Sequence, residues 1–206
     1  MHMHRNPSFV IMSAGLAGCL AACGGDDAQG GNENEVITTV TLTFAPEGGG
    51  ENVTAAFDDP DGNGGESPTI DPIDLADGTT YAMTITFVND LADPPEDITE
   101  EVSDESDQHM IFYTGTAVDG PASEQPGAPL THTYGDEDVN GLPIGLENTI
   151  VATAGTGEMT VTLRHMPPVN DTPVKTADLP QQVSDEGVGS LPGSTDAQVD
   201  FAVTVE

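Results

Sequence analysis

The chain has 206 residues, of which 36 are Asp or Glu and only 3 are Lys or Arg, giving a formal net charge of −33. Such a charge repels nucleic acid and anionic lipid surfaces and makes cations the natural counterparts, although an acidic surface also serves simply to keep a protein soluble in salty water. About 180 residues follow Cys23, enough for one domain with a real core.

The chain begins with a polar stretch carrying Arg5, followed by an apolar run from Phe9 to Ala22. At about 14 residues the run is too short to span a bilayer as a helix and suits the core of a signal peptide, expected over residues 1–22. It ends in Leu20-Ala21-Ala22-Cys23, which resembles the lipobox of bacterial lipoproteins, where the cysteine thiol takes the lipid. Leu16-Ala17-Gly18-Cys19 is a weaker alternative, because the polar tether starts only after Cys23. Cys23 is therefore the expected lipidation site, and outer-membrane lipid a partner through it, on the periplasmic or the cell-surface face. Both cysteines lie in this segment, so no disulfide staples the mature domain. Residues 23–35 comprise the lipidated cysteine and a Gly, Asn and acid-rich leash that reaches on the order of 20 Å as a random coil.

A single domain is expected over 36–206, and period-two alternation runs through it. Val36, Val40, Leu42 and Phe44 share one face of a first strand, opposite Thr39, Thr41 and Thr43. A shorter strand follows at 52–57. Next comes Asp59-Pro60-Asp61-Gly62-Asn63-Gly64, a partial calcium-loop pattern D-x-D-x-N-G whose twelfth position, Ile70, cannot ligate; Glu66 or Asp71 would have to serve. Tyr81, Met83, Ile85 and Phe87 alternate against Thr80, Thr84 and Thr86. The one predicted helix starts at Asp97, where Asp97-Ile98-Thr99-Glu100 has the form of a capping box, and lasts two or three turns. Strands are expected at 108–114 and 129–134.

Asp136-Glu137-Asp138-Val139-Asn140-Gly141, with Glu147 at position twelve, matches D-x-[DN]-x-[DN]-G-x5-E throughout. Asp136, Asp138, Asn140 and Glu147 would converge on one hard cation, with the Leu142 carbonyl as a further ligand. The flanks read as strands, so the expectation is a calcium loop in a β protein and not a helix-loop-helix. For both loops the plain alternative is that Asp, Asn and Gly are ordinary turn residues. Strands follow at 149–154, at Met159, Val161 and Leu163, and finally at Val199, Phe201, Val203 and Val205. Residues 167–196 hold several prolines and no periodicity, and read as a functional or disordered connection. About eight strands, one short helix and long loops give an all-β fold, a two-layer antiparallel β-sandwich of immunoglobulin-like type.

Three histidines occur beyond Cys23: His109, His132 and His165. Together they would suit zinc, and the pairs His109-Met110 and His165-Met166 would suit copper. His165 is in phase with Leu163, and His132 with Leu130 and Tyr134, so each also has a core reading. The acid run Glu100, Glu101, Asp104, Glu105 and Asp107 leads into His109 as a cation-capture surface. No Gly-x-Ser-x-Gly elbow, H-E-x-x-H or phosphate-cradling glycine loop is present, and paired carboxylates are too abundant to identify a glycosidase site. Arg164 would orient one of the acids or form a structural ion pair.

Several segments resemble a group of small acidic lipoproteins of marine bacteria, loosely labelled type 1 periplasmic-binding-fold superfamily proteins. They are Val36-Ile37-Thr38-Thr39-Val40, Phe57-Asp58-Asp59-Pro60-Asp61-Gly62, Ile98-Thr99-Glu100-Glu101-Val102, Asp107-Gln108-His109 and Thr162-Leu163-Arg164-His165. The resemblance implies an exported lipoprotein that binds a solute near the outer membrane. The expectation from the sequence is thus a non-catalytic, lipid-anchored binding protein with an unknown ligand or protein partner and calcium-ordered loops. The alternative is a zinc or copper capture lipoprotein, and a lesser one is an enzyme acting on extracellular polymer.

Overall fold

The computed structural model describes residues 35–62 and 64–206; the signal segment, Cys23, nearly all of the tether and Asn63 lie outside the described residues. The unit of interest, Asn32–Glu206, is compact. It is mostly β, with two sheets and two helices.

The first sheet is ordered β3-β2-β1-β5-β10-β9-β8, with β6 also paired to β5, and it curls into a half-barrel. Its long members are β1 (Thr39–Pro46), β2 (Val53–Asp58), β5 (Thr80–Asn89), β9 (Leu130–Tyr134) and β10 (Glu147–Ala152). The second sheet is ordered β4-β12-β11-β7, from β4 (Ile73–Leu75), β7 (His109–Thr114), β11 (Gly155–His165) and β12 (Ser194–Val205). The eight strands expected from alternation are β1, β2, β5, β7, β9, β10, β11 and β12. The additional β3 (Thr69–Ile70), β4, β6 (Glu96–Asp97) and β8 (Val118–Asp119) have two or three residues each, too short to show a period.

The alternation places the core. In β1 and β5 the facing pairs are Val40 with Phe87, Leu42 with Ile85 and Phe44 with Met83, all buried. Across the second sheet Val161 is paired with Tyr113 on one side and Val199 on the other. These side chains join Leu163, Phe201 and Val203 in one cluster drawn from both sheets. Helix α1 (Ile98–Asp104) packs on that cluster through Ile98 and Val102, and the Asp97 carboxylate caps it by accepting from the Thr99 amide at 3.0 Å.

The connection at 167–196, read as irregular, contains helix α2 (Leu179–Glu186) and a 3-10 turn at Val188–Ser190. Pro180 sits in the first turn and Gly187 follows the last, the asymmetry that suits proline to helix starts and glycine to helix ends. Leu179 and Val183, four residues apart, close a second apolar cluster with Met110, Phe112, Ala122, Met166 and Leu191. Burying side chains of this size stabilises by about 1.5–3 kcal/mol each, enough to hold so short a helix against Met110 and Phe112 of β7. Arg164 fixes its exit: Nη2 donates to the carbonyls of Leu191 at 3.0 Å, Pro192 at 2.8 Å and Gly193 at 3.0 Å, while Nη1 donates to Thr195 Oγ1 at 2.7 Å. Among the described residues no helix is long and apolar enough to cross a membrane.

Candidate metal centre

His109 opens β7 and His165 closes β11, and the antiparallel register sets them directly opposite each other. Strand parity then fixes their face. His109 is in phase with Ile111 and Tyr113, and His165 with Leu163 and Val161, so both rings lie at the end of the inner face. Their rings stack with centroids 4.6 Å apart and planes 11° from parallel. Glu105, at the C-cap of α1, comes over the pair: one ring nitrogen of each histidine and one Glu105 carboxylate oxygen all lie within 4.8 Å of one another. His109 is buried, His165 half-buried, and Glu105 partly exposed.

The chemistry of His109 follows from its one hydrogen bond. Nδ1 lies 3.1 Å from the Glu105 carbonyl, which can only accept, so the proton sits on Nδ1 and Nε2 carries the lone pair. Among the described residues Nε2 has no hydrogen-bond partner although it is buried, and the same holds for Nδ1 of His165. Leaving a buried polar atom unsatisfied costs about 1–3 kcal/mol, a cost a bound ion would offset. Burial pushes the His109 pKa down to about 4, reinforced by His165 and Lys175 and only partly opposed by the Glu105 carbonyl and Asp107. His109 is therefore a neutral imidazole at neutral pH, the form that ligates metal.

The loop between Glu105 and His109 is held from below. The Gln108 amide donates to the Glu105 carbonyl at 2.8 Å and the Met166 amide to the Gln108 carbonyl at 2.6 Å. The Lys175 ammonium donates to the Ser106 carbonyl at 2.7 Å. Gly193, at φ +81°, lies so close to the His165 carbonyl that any side chain there would collide with it. A carboxylate group lies nearby. Partial burial raises the Glu35 carboxyl, and Glu101, Glu96 and Glu105 raise it further. Asp196 is raised to about 7 by burial and by Glu35, against the pull of Arg164 and Ser194.

His132 stands apart. Its Nε2 is 2.9 Å from Asn148 Oδ1, and Asn148 in turn donates to the Tyr113 hydroxyl and the Gly145 carbonyl. Its ring packs on Tyr113 and Tyr134 at centroid distances of 4.8 and 4.7 Å. This is a hydrogen-bonded core histidine, the reading its phase with Leu130 and Tyr134 favoured, so the alternative three-histidine site divides into a pair and a core residue.

The stronger calcium motif is occupied from within. Asp136 accepts from the amides of Gly145 at 2.8 Å through Oδ1, and of Leu146 at 2.8 Å and Glu147 at 3.1 Å through Oδ2. Asp138 Oδ1 accepts from the amides of Asn140 and Leu142, and its Oδ2 meets Lys175 Nζ at 3.0 Å. The Leu142 carbonyl accepts from the Asp138 amide at 2.8 Å, Asn140 is exposed, and Glu147 opens β10 facing solvent. The cation that Asp138 meets is thus the chain's own ammonium. The weaker motif differs. Among the described residues Asp59 and Asp61 each have a buried Oδ1 with no hydrogen-bond donor, and desolvation and a side-chain hydrogen bond with Asp61 raise Asp59 above its ordinary range.

Glu105 was legible only as one of five acids before His109; its place four residues ahead, across a helix end, is the signal that singles it out. The Asp138–Lys175 pair had none, because its partners lie far apart along the chain. Compared with protein-family models, with curated proteins and with solved structures, the chain matches none.

Proposed function

We propose that this chain is an exported, lipid-anchored, non-catalytic protein of the bacterial outer membrane that captures a transition-metal ion through Glu105, His109 and His165. The observation that carries the reading is the proximity of two imidazoles and a carboxylate, one candidate ligand atom of each lying within 4.8 Å of the others, with a nitrogen on each ring that has no hydrogen-bond partner among the described residues. Anchoring through Cys23 rests on the lipobox-like sequence and on the resemblance to small acidic lipoproteins. The acids grouped with Glu105, namely Glu35, Glu96 and Glu101, favour the approach of a cation. In the same reading the two sheets form an immunoglobulin-like sandwich that serves as a rigid frame, with the ion at one end of the shared core.

Thermal unfolding of the chain after chelation, then with zinc, copper or calcium added separately, tests the proposal. At about a hundredfold excess over the dissociation constant, zinc or copper should raise the midpoint by about 5–10 °C, and His109→Ala should abolish the rise. A rise with calcium alone would overturn it.

A second reading has its own observation. The Oδ1 atoms of Asp59 and Asp61, without a donor among the described residues, favour calcium at that loop; Asn63, the third position of the motif, lies outside the described residues. Calcium would then order a loop next to β2 and leave the capture site untouched.

A further inference from the structure

We propose that the ion taken by Glu105, His109 and His165 is a borderline divalent ion of the zinc class, held by three protein donors with one position open to exchange, and not Cu(I). The inference rests on the metal-capture reading and narrows it.

The sequence pairs each of these histidines with a methionine, a combination suited to soft copper. The fold separates the pairs. Met110 follows His109 along β7, so strand parity turns its side chain to the opposite face of the sheet, where its register partner is Arg164. Met110 and Met166 are both buried in the cluster closed by Phe112, Leu179 and Val183, on the α2 side. The chain's two cysteines are at positions 19 and 23, before the domain begins. The donors at the site are therefore two nitrogens and one oxygen, a set that suits zinc-like ions, whereas Cu(I) selects thiolates and thioethers.

The number of donors matters as much as their type. A tetrahedral ion on three side chains keeps one position for water or another ligand, unlike the four-ligand closed sites that build a fold. The apolar cluster shared by the two sheets includes none of the three donors, so a capture ion is expected to leave it intact. The three donors also differ in how firmly they are held. His109 is oriented by its hydrogen bond to the Glu105 carbonyl, the kind of outer contact that fixes a ligand ring. His165 is half-buried and rests against His109 by stacking, and the Glu105 carboxylate is partly exposed. His109 is thus the fixed donor, and the ion enters and leaves on the side of His165 and Glu105.

The test uses the full-length chain in detergent, stripped by chelation. Zinc is titrated against a competing zinc indicator, and Cu(I) against a Cu(I) chelator without oxygen. The variants are His165→Gln and Glu105→Gln, both at partly exposed positions, and Met166→Leu. Expected are one zinc per chain, affinity lowered at least about tenfold by His165→Gln or Glu105→Gln, and no change in Met166→Leu. Removing the zinc should leave the circular dichroism spectrum intact. Cu(I) binding that is tighter than zinc and weakened by Met166→Leu would overturn the inference and leave the capture reading standing. Unfolding on zinc removal would overturn the inference and the capture reading together, since the ion would then be structural. Failure of both zinc and copper to bind would overturn the capture reading and this inference with it.

Discussion

The Lys175 ammonium and the Asp138 carboxylate meet at 3.0 Å with both side chains almost wholly buried. Burial lowers the pKa of Lys175, opposed by Asp138; for Asp138 the burial penalty is outweighed by the Leu142 amide, Lys175 and the Asn140 amide, which bring it below its ordinary range. The pair joins the 136–147 loop to the 167–178 segment, and through Ser106 to the loop carrying Glu105 and His109. Removing one partner leaves an uncompensated buried charge, so Asp138→Ala should destabilise by about 3–5 kcal/mol in chemical denaturation, with or without calcium. Lys175→Met combined with Asp138→Ala should cost less than the sum of the two single changes. A loss seen only when calcium is present would instead make the loop an ion site.

The match between sequence and structure is good where one segment carries the whole signal. Val40, Leu42 and Phe44, or Met159, Val161 and Leu163, state their own face by alternation, and Asp97 ahead of Ile98 marks a helix start. The same parity put His165 in the core phase. What was hidden is whatever two distant segments decide together. Asp136-Glu137-Asp138 looks like a better calcium loop than Asp59-Pro60-Asp61, yet its oxygens go to amides of residues 140–147 and to a lysine from another connection. Helix α2 escaped notice because only two side chains, Leu179 and Val183, form its stripe, and their partners are on β7.

Arg164 should be irreplaceable by lysine. Its guanidinium serves the carbonyls of Leu191, Pro192 and Gly193 and the Thr195 hydroxyl at once, a planar fork that a single ammonium cannot reproduce. Arg164→Lys should lower stability by about 2 kcal/mol, and Arg164→Met by more, since buried carbonyls lose their donors. Hydrogen exchange should show the loss first in α2 and the turn after it. A uniform loss across both sheets, or none, would remove Arg164 from this role.

Two histidines and one aspartate set opposing pH dependences. His109 and His132 have folded pKa values of about 4, lowered chiefly by burial, against an ordinary 6.5. Between those values the unfolded chain binds the protons, so their contribution to stability is full above pH 6.5 and lost as the pH falls toward 4. Asp196, raised from 3.8 to about 7 by burial and by Glu35, does the reverse: the folded chain binds the proton, and stability falls as the pH rises through that window. Glu101 adds to the rise, and Arg164 and Ser194 oppose it. Asp196→Asn should therefore match the parent at pH 4, exceed it at pH 8, and steepen the gain between pH 4 and 6.5. Urea midpoints across this range, with a chelator present, measure it; equal midpoints at pH 8 would deny the shift.

The anchor can be separated from everything the domain does. If Cys23 carries the lipid, Cys23→Ala should abolish incorporation of labelled palmitate in a bacterial host and release the chain from the membrane fraction. Cys19→Ala should retain both, because the polar tether begins only after Cys23. Acylation adds about 0.8 kcal/mol of membrane affinity per buried methylene, and several chains on one cysteine make the attachment stable where a single chain would be marginal. The released Cys23→Ala protein should bind its ion as the parent does, since Glu105, His109 and His165 all belong to the Asn32–Glu206 unit. Labelling that follows Cys19 would move the cleavage site four residues upstream. Labelling of neither cysteine would make the segment an ordinary secretory signal and the protein a free periplasmic one.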